Sequence, residues 1–212
     1  MDRIDLLIAS LAEQAEARRR DRAGVTEPQI ERAVSRMQAA GYWPATGAGE
    51  TYRALATWLA TVAAGQATRG LLLWGGPGRG KTYFLGKFCR ADRTIRASQI
   101  VELYQEWGRS RVLAWLEADE LDDVPADYYR LTLDDLGAEP TGKRYGETTE
   151  ILADVIDQRY REWQRRGWAG ATFVSTNLTP EEVADRYGER TSSRLAEMTA
   201  AIHIDGPDWR MA

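Results

Sequence analysis

Gly75-Gly76-Pro77-Gly78-Arg79-Gly80-Lys81-Thr82 satisfies the pattern G-x-x-x-x-G-K-[ST], and its flanks set the fold. An apolar run, Leu71-Leu72-Leu73-Trp74, leads in, and a helix-compatible run, Tyr83 to Arg90, leads out. Strand, glycine turn and helix in that order bring unpaired backbone N–H groups and the positive end of a helix dipole to one point, which makes an anion site. Glycine lets this backbone turn inward onto phosphate oxygens. A lysine at position 81 then reaches the β- and γ-phosphates, and the Thr82 hydroxyl can ligate magnesium. The stretch predicts binding of ATP or GTP with Mg2+, the loop from Gly75 to Thr82 holding the phosphates.

Working outward, the chain alternates helix and strand from Thr51 onward, which argues a parallel sheet covered on both faces. A helix over Tyr52 to Ala64 precedes the Leu71–Trp74 strand. Further strands are expected at Thr94–Ala97, Tyr128–Asp134, Ala171–Ser175 and Ala201–Asp205. Helices are expected at Ser98–Trp107, Ser110–Ala118, Thr148–Arg165, after the Thr179 cap as far as Gly188, and around Ser192–Met198. This is a five-stranded α/β P-loop domain over residues 51–212. Before it, residues 3–22 carry Ile4, Leu7, Ile8, Leu11, Ala12 and Ala15 at helical spacing, closed by Arg18-Arg19-Arg20. A second helix is punctuated by Thr26 and Gln29 as a capping box, Pro28 in its first turn and Gly41 past its end. Its apolar face is Ile30, Ala33, Val34 and Met37. Gly41 to Glu50 reads as a linker, placing a small helical appendage in residues 1–50.

Composition limits the classes of function. The 212 residues are 43% apolar, enough for a core, and no apolar run approaches the ~18 residues of a membrane span. The start, Met-Asp-Arg, lacks a signal-peptide pattern, so a cytoplasmic protein is expected and the Asn177-Leu178-Thr179 sequon is without meaning. One cysteine, Cys89, and one histidine exclude a disulfide framework and make a structural zinc site untenable. The net charge of −4 argues against bulk electrostatic attraction to nucleic acid. A ring of subunits can still line a pore with a few cations, for which Arg93, Arg96, Arg109 and Arg111 are candidates, with Tyr104 and Trp107 as possible base-stacking groups.

Three further stretches carry chemistry. Leu131-Thr132-Leu133-Asp134-Asp135-Leu136 is a strand ending in carboxylates. Downstream of a phosphate loop, Asp134 can hold magnesium with Thr82, and Asp135 can orient or deprotonate the attacking water. Phe173-Val174-Ser175-Thr176-Asn177 ends a strand in an amide at the sheet's C-terminal edge, where open α/β folds bind ligands. The Asn177 amide can bond the γ-phosphate or the lytic water, or simply form a turn before Thr179. In Glu189-Arg190-Thr191-Ser192-Ser193-Arg194-Leu195 an arginine can act from a neighbouring subunit on the transferring phosphoryl group, or remain a solvated helix arginine.

In this order, the four stretches resemble the AAA+ ATPases, and within them the DnaC-type helicase loaders and IstB-type transposition ATPases, over residues 51–210. Leu133-Asp134-Asp135-Leu136-Gly137 is similar to that family's acidic strand end, with Asp where many relatives carry Glu. Leu152 to Tyr160 and Ser175-Thr176-Asn177 resemble its helix and sensor strand, Ser193-Arg194-Leu195 its finger box, and Gly206-Pro207-Asp208-Trp209-Arg210 its closing segment. The resemblance implies an ATPase in which Lys81 and Thr82 contact phosphate and magnesium. Asp134 and Asp135 are then the acidic pair, Asn177 the first sensor and Arg194 the finger, with Arg190 a lesser candidate. It implies a homo-oligomer in the ATP state that places a replicative hexameric DNA helicase on single-stranded DNA, gripping it through residues 1–50. Ile4, Leu7, Leu11 and the Arg18–Arg22 run are candidates for that surface. No C-terminal lid is expected after the last strand, which leaves Arg210 a weak candidate for a second sensor. An IstB-like regulator of a transposase, a small-molecule kinase and a hydrolysis-poor nucleotide switch are the alternatives. The kinase requires a lid over its acceptor that the sequence does not show.

Overall fold

The computed structural model describes residues 24–43, 49–89, 91–116, 130–144 and 147–208, and divides the chain into two compact units, Met1–Ala67 and Thr68–Ala212. The first contains α1 (Glu27–Ala39) and α2 (Gly49–Ala63). Thr26 N–H donates to Gln29 Oε1 at 2.7 Å, the return half of the expected capping box, and Pro28 occupies the first turn. Ile30, Ala33 and Met37 are buried and Val34 is half-buried. α1 packs along α2, and beside that contact the Tyr52 hydroxyl donates to Tyr42 O at 2.8 Å. The break between units therefore falls at Ala67, later than the Gly41–Glu50 segment suggests, because α2 turns back onto α1. Ile4, Leu7, Leu11 and the Arg18–Arg22 run lie outside the described residues.

The second unit is built on β1 (Gly70–Trp74), β2 (Arg93–Arg96), β3 (Leu131–Leu136), β6 (Thr172–Thr176) and β7 (Thr199–His203). They form a five-stranded sheet in the order β2-β3-β6-β1-β7, and every pairing is parallel. The α/β architecture expected from the sequence is the one found. Strands buried on both faces need apolar residues at both parities. Leu71, Leu72 and Leu73 on β1, and Phe173 and Val174 on β6, supply them. Register aligns Leu72 with Val174, Val174 with Leu133 and Leu133 with Ile95, one apolar row across the sheet. That row joins residues of α4 (Ala97–Trp107), α5 (Arg109–Leu116), α6 (Ile151–Arg166), α7 (Pro180–Tyr187) and α8 (Glu189–Met198) in one core. The first helix after the loop, α3 (Lys81–Phe88), contacts β3 and β6 and buries Phe84, Leu85 and Phe88. Leu133 is fully buried at the centre of the row. Leu133→Ala is expected to destabilise this unit by about 2–5 kcal/mol, read from the midpoint of urea unfolding.

Three readings of the sequence need correction. The third strand begins at Leu131 and runs through Leu136, so the acidic pair lies within it, at a bulge where the β6 register shifts between Leu133 and Leu136. The long helix begins at Ile151 and not at Thr148, because Thr148 and Thr149 pair in a hairpin of β4 (Gly142–Arg144) and β5 (Glu147–Thr149). β-branched neighbours favour that extended geometry. The last strand starts at Thr199, closer to the helix than Ala201.

Candidate nucleotide site

The site forms where β1, β3 and β6 end, and the strand order decides which side chains meet there. β6 lies between β1 and β3, so the residue following β6 falls between the glycine-rich turn after β1 and the acidic end of β3. β1 stops at Trp74. Gly75 follows with φ 135°, and a Cβ there would come within 2.4 Å of Ile204 O, so no larger residue fits without moving the backbone after β7. The turn closes at Gly80, which caps α3, and Lys81 and Thr82 form that helix's first turn. Backbone N–H groups at this end have no partner within the helix, and the helix dipole adds partial positive charge.

Lys81 is 6% exposed. Its ammonium donates to Gly75 O, Gly76 O and Asn177 Oδ1, each at 2.7 Å. A nearly buried cation requires such partners, and here they place it at the turn. One residue on, the Thr82 hydroxyl donates to Asp134 Oδ1 at 2.8 Å. Asp134 is buried and also accepts from Ser175 Oγ at 2.5 Å, and the same hydroxyl accepts the Asp135 N–H at 2.9 Å. Asp135 is half-buried at φ 57°, the left-handed region a non-glycine residue seldom adopts. Among the described residues its carboxylate accepts no hydrogen bond.

Lys81, Thr82, Asp134 and Asn177 thus converge, with Asp135 beside them on the bulge. Chemically this is a cation and a helix N-terminus facing a hydroxyl–carboxylate pair. Thr82 and Asp134 are hard oxygen donors and fit Mg2+, which is commonly held by one or two carboxylates together with substrate phosphates. Among the described residues no cluster of three His, Cys, Asp or Glu side chains stands ready for a metal.

Arg194 is not part of this cluster. It lies on α8 with its side chain 17% exposed, paired with Asp157 of α6 and over the Tyr160 ring at 5.1 Å. Arg190, 77% exposed, reaches the same Asp157 at 4.0 Å. Arg79 of the loop donates to Ile204 O at 3.1 Å and lies 3.6 Å from Asp205, while the Asp208 carboxylate abuts Gly78. Gly76 and Pro77 complete the turn; Arg210 lies outside the described residues. Three of the four candidate pore arginines have partners within the chain. Arg93 donates to Trp115 O at 2.7 Å, Arg109 binds both oxygens of Asp154 at 2.6 and 2.7 Å, and Arg111 lies 5.0 Å from the Trp107 ring centre. Arg96 is exposed, and Tyr104 is buried in the core. Sequence reasoning gave Ser175 no role. The available signal was a hydroxyl at a fully buried position of β6, where a polar atom must have a bonding reason.

No family model matches the chain, and a comparison with curated proteins finds no significant match. Among solved structures the chain is similar to the crystal structure of domain III from the Thermotoga maritima replication initiation protein DnaA. Identity is 15% and the TM-score 0.42, over 73% of this chain and 62% of that one, so this chain spans less than two-thirds of that chain's length. A likeness that slight carries no argument about function.

Proposed function

We propose that this chain is an ATPase of the AAA+ type that hydrolyses ATP between subunits and loads a replicative DNA helicase onto single-stranded DNA. The observation that carries the ATPase reading is the Lys81–Asn177 and Thr82–Asp134 pair of hydrogen bonds at one edge of the sheet. The loader assignment rests on the resemblance of the four sequence stretches, and the partner surface on residues 1–50. No described helix is long and apolar enough to cross a membrane.

In this reading the N-terminus of α3 and Lys81 hold the β- and γ-phosphates. Lys81 exchanges its loop carbonyls for phosphate oxygens. Thr82 and Asp134 hold Mg2+, which when bound neutralises charge on those oxygens. Asn177 positions the γ-phosphate or the water. Asp135 accepts a proton as water attacks the γ-phosphorus and the bond to the β-phosphate oxygen breaks, giving ADP and inorganic phosphate. Catalysis is positioning and charge stabilisation without a covalent intermediate. Arg194 of an adjacent subunit stabilises the transferring group after leaving Asp157.

Mixing two inactive chains tests the assembly. The Arg194→Ala chain is expected to lose activity by about 10³-fold or more, and the Asp135→Asn chain by about 10²- to 10⁴-fold. Mixed at concentrations where subunits associate, they should regain turnover by forming intact interfaces, and single-stranded DNA or a hexameric helicase should raise it. No recovery for Arg194→Ala contradicts Arg194 as a finger in trans, and recovery with Arg190→Ala in its place moves the role to Arg190. Stimulation by duplex DNA alone contradicts the loader assignment in favour of the transposase regulator.

A further inference from the structure

Behind the acidic end of β3, on the far side of Asp135 along the chain, a second polar network closes the turn over residues 135–139. Asp135 O accepts the Ala138 N–H at 3.1 Å, and Gly137 N–H donates to Glu139 Oε2 at 2.8 Å. Arg186 of α7 donates to Gly137 O at 2.6 Å and Glu139 O at 2.5 Å, and pairs with Glu139 Oε1 at 2.9 Å. The Tyr187 hydroxyl donates to the same Glu139 oxygen. The Glu139 side chain is fully buried. Burial and that carboxylate push the Tyr187 phenol well above its usual range, so it remains a donor.

The network is tied to the other polar edge of the site. Thr176 Oγ1 donates to Leu136 O at 2.6 Å and accepts the Leu178 N–H at 3.0 Å. The Leu178 side chain closes over Gly137, where a Cβ would come within 2.5 Å of it. Thr179 then caps α7, accepting the Glu182 N–H at 3.2 Å, and α7 carries Arg186 back to the turn. One short helix therefore fixes both the segment bearing Asn177 and the turn bearing Asp135. A non-glycine residue held at positive φ costs about 1–3 kcal/mol and persists only where its surroundings over-determine it. Here the surroundings are Ser175 on one side of Asp135 and this network on the other.

We propose that Glu139 and Arg186, with Tyr187, are positioning residues for Asp135, holding its carboxylate in the left-handed turn from which it meets the attacking water. The inference rests on the hydrolytic reading of Asp135 above. It separates two properties of the site: the loop and Lys81 set nucleotide affinity, and the network sets turnover. A pair that only stabilised the fold would not divide them.

The test uses the full chain and MgATP. Glu139→Gln removes the charge and keeps the shape, Arg186→Lys keeps the charge and loses the two-pronged grip, and Tyr187→Phe removes one donor. Each variant is checked for folding by thermal melting and assayed for ATP affinity and single-turnover hydrolysis. Glu139→Gln and Arg186→Lys are expected to slow hydrolysis by about 10- to 100-fold with Kd for ATP within about 3-fold of wild type, the scale of a small misplacement of a reacting group. Tyr187→Phe is expected to slow it several-fold in the same direction, and it decides the matter if the charged variants fail to fold. The double variant Asp135→Asn/Glu139→Gln should be no slower than Asp135→Asn alone, because groups acting as a unit are not additive. Folded variants that hydrolyse at the wild-type rate, or losses that multiply in the double variant, overturn the positioning role. A wild-type chain that binds no ATP overturns the nucleotide site itself.

Discussion

Lys81→Ala is expected to lower ATP turnover by about 100-fold or more and to weaken nucleotide binding to a similar degree. A hydrogen bond to a charged group contributes about 1.5–3 kcal/mol, and in the proposed complex this ammonium bonds two phosphates at once. The substitution also acts without nucleotide. Gly75 O, Gly76 O and Asn177 Oδ1 all lose the same donor. An unsatisfied buried acceptor costs about 1–3 kcal/mol, so the loop should loosen as well as lose its cation. Faster amide exchange across Gly75–Gly80 in the Lys81→Ala chain is the expected signature. Wild-type turnover in the variant would show that the lysine is a structural clip and nothing more.

Asp134→Asn is expected to produce the second large effect, of a different kind. Thr82 Oγ1 and Ser175 Oγ both donate to Asp134 Oδ1, and an asparagine oxygen in that position still accepts both bonds. The strand end should therefore keep its shape while losing its charge. Mg2+ needs that charge, since few protein ligands hold it apart from substrate phosphates. Wild-type affinity for ATP is expected to rise with Mg2+ and to fall again when EDTA removes it. Asp134→Asn should bind ATP weakly and equally in either condition, with turnover reduced by about 100-fold or more. A variant whose affinity still follows Mg2+ would place the metal elsewhere.

Residues that act through local sequence were legible before any coordinates. The Gly75–Thr82 turn is contiguous and its glycines set how the backbone bends, so a candidate phosphate loop could be proposed from those residues alone. Asp134 and Asp135 lie near the end of a largely apolar strand, and Asn177 directly follows another. Parallel strands bring their C-terminal ends to one edge, which is why Asn177 meets Lys81 and Asp134 meets Thr82. Features that depend on distant pairing were not legible. Glu139 and Arg186 are 47 residues apart and gave no local sign of partnership. Ser175 was read as part of a strand, although a hydroxyl there reports a buried acceptor. Arg194 was placed by its motif, but its pairing with Asp157 arises from α6 packing against α8, which helical spacing alone does not reveal. The β4–β5 hairpin is only three residues per strand, too short for alternation to register.

Titrating the 212-residue chain with ATP in a calorimeter, with and without Mg2+, is the most direct check on the nucleotide site. Saturable heat at one nucleotide per chain, with tighter binding when Mg2+ is present, is the expected result. No heat in either condition would contradict it, whatever the shape of the loop.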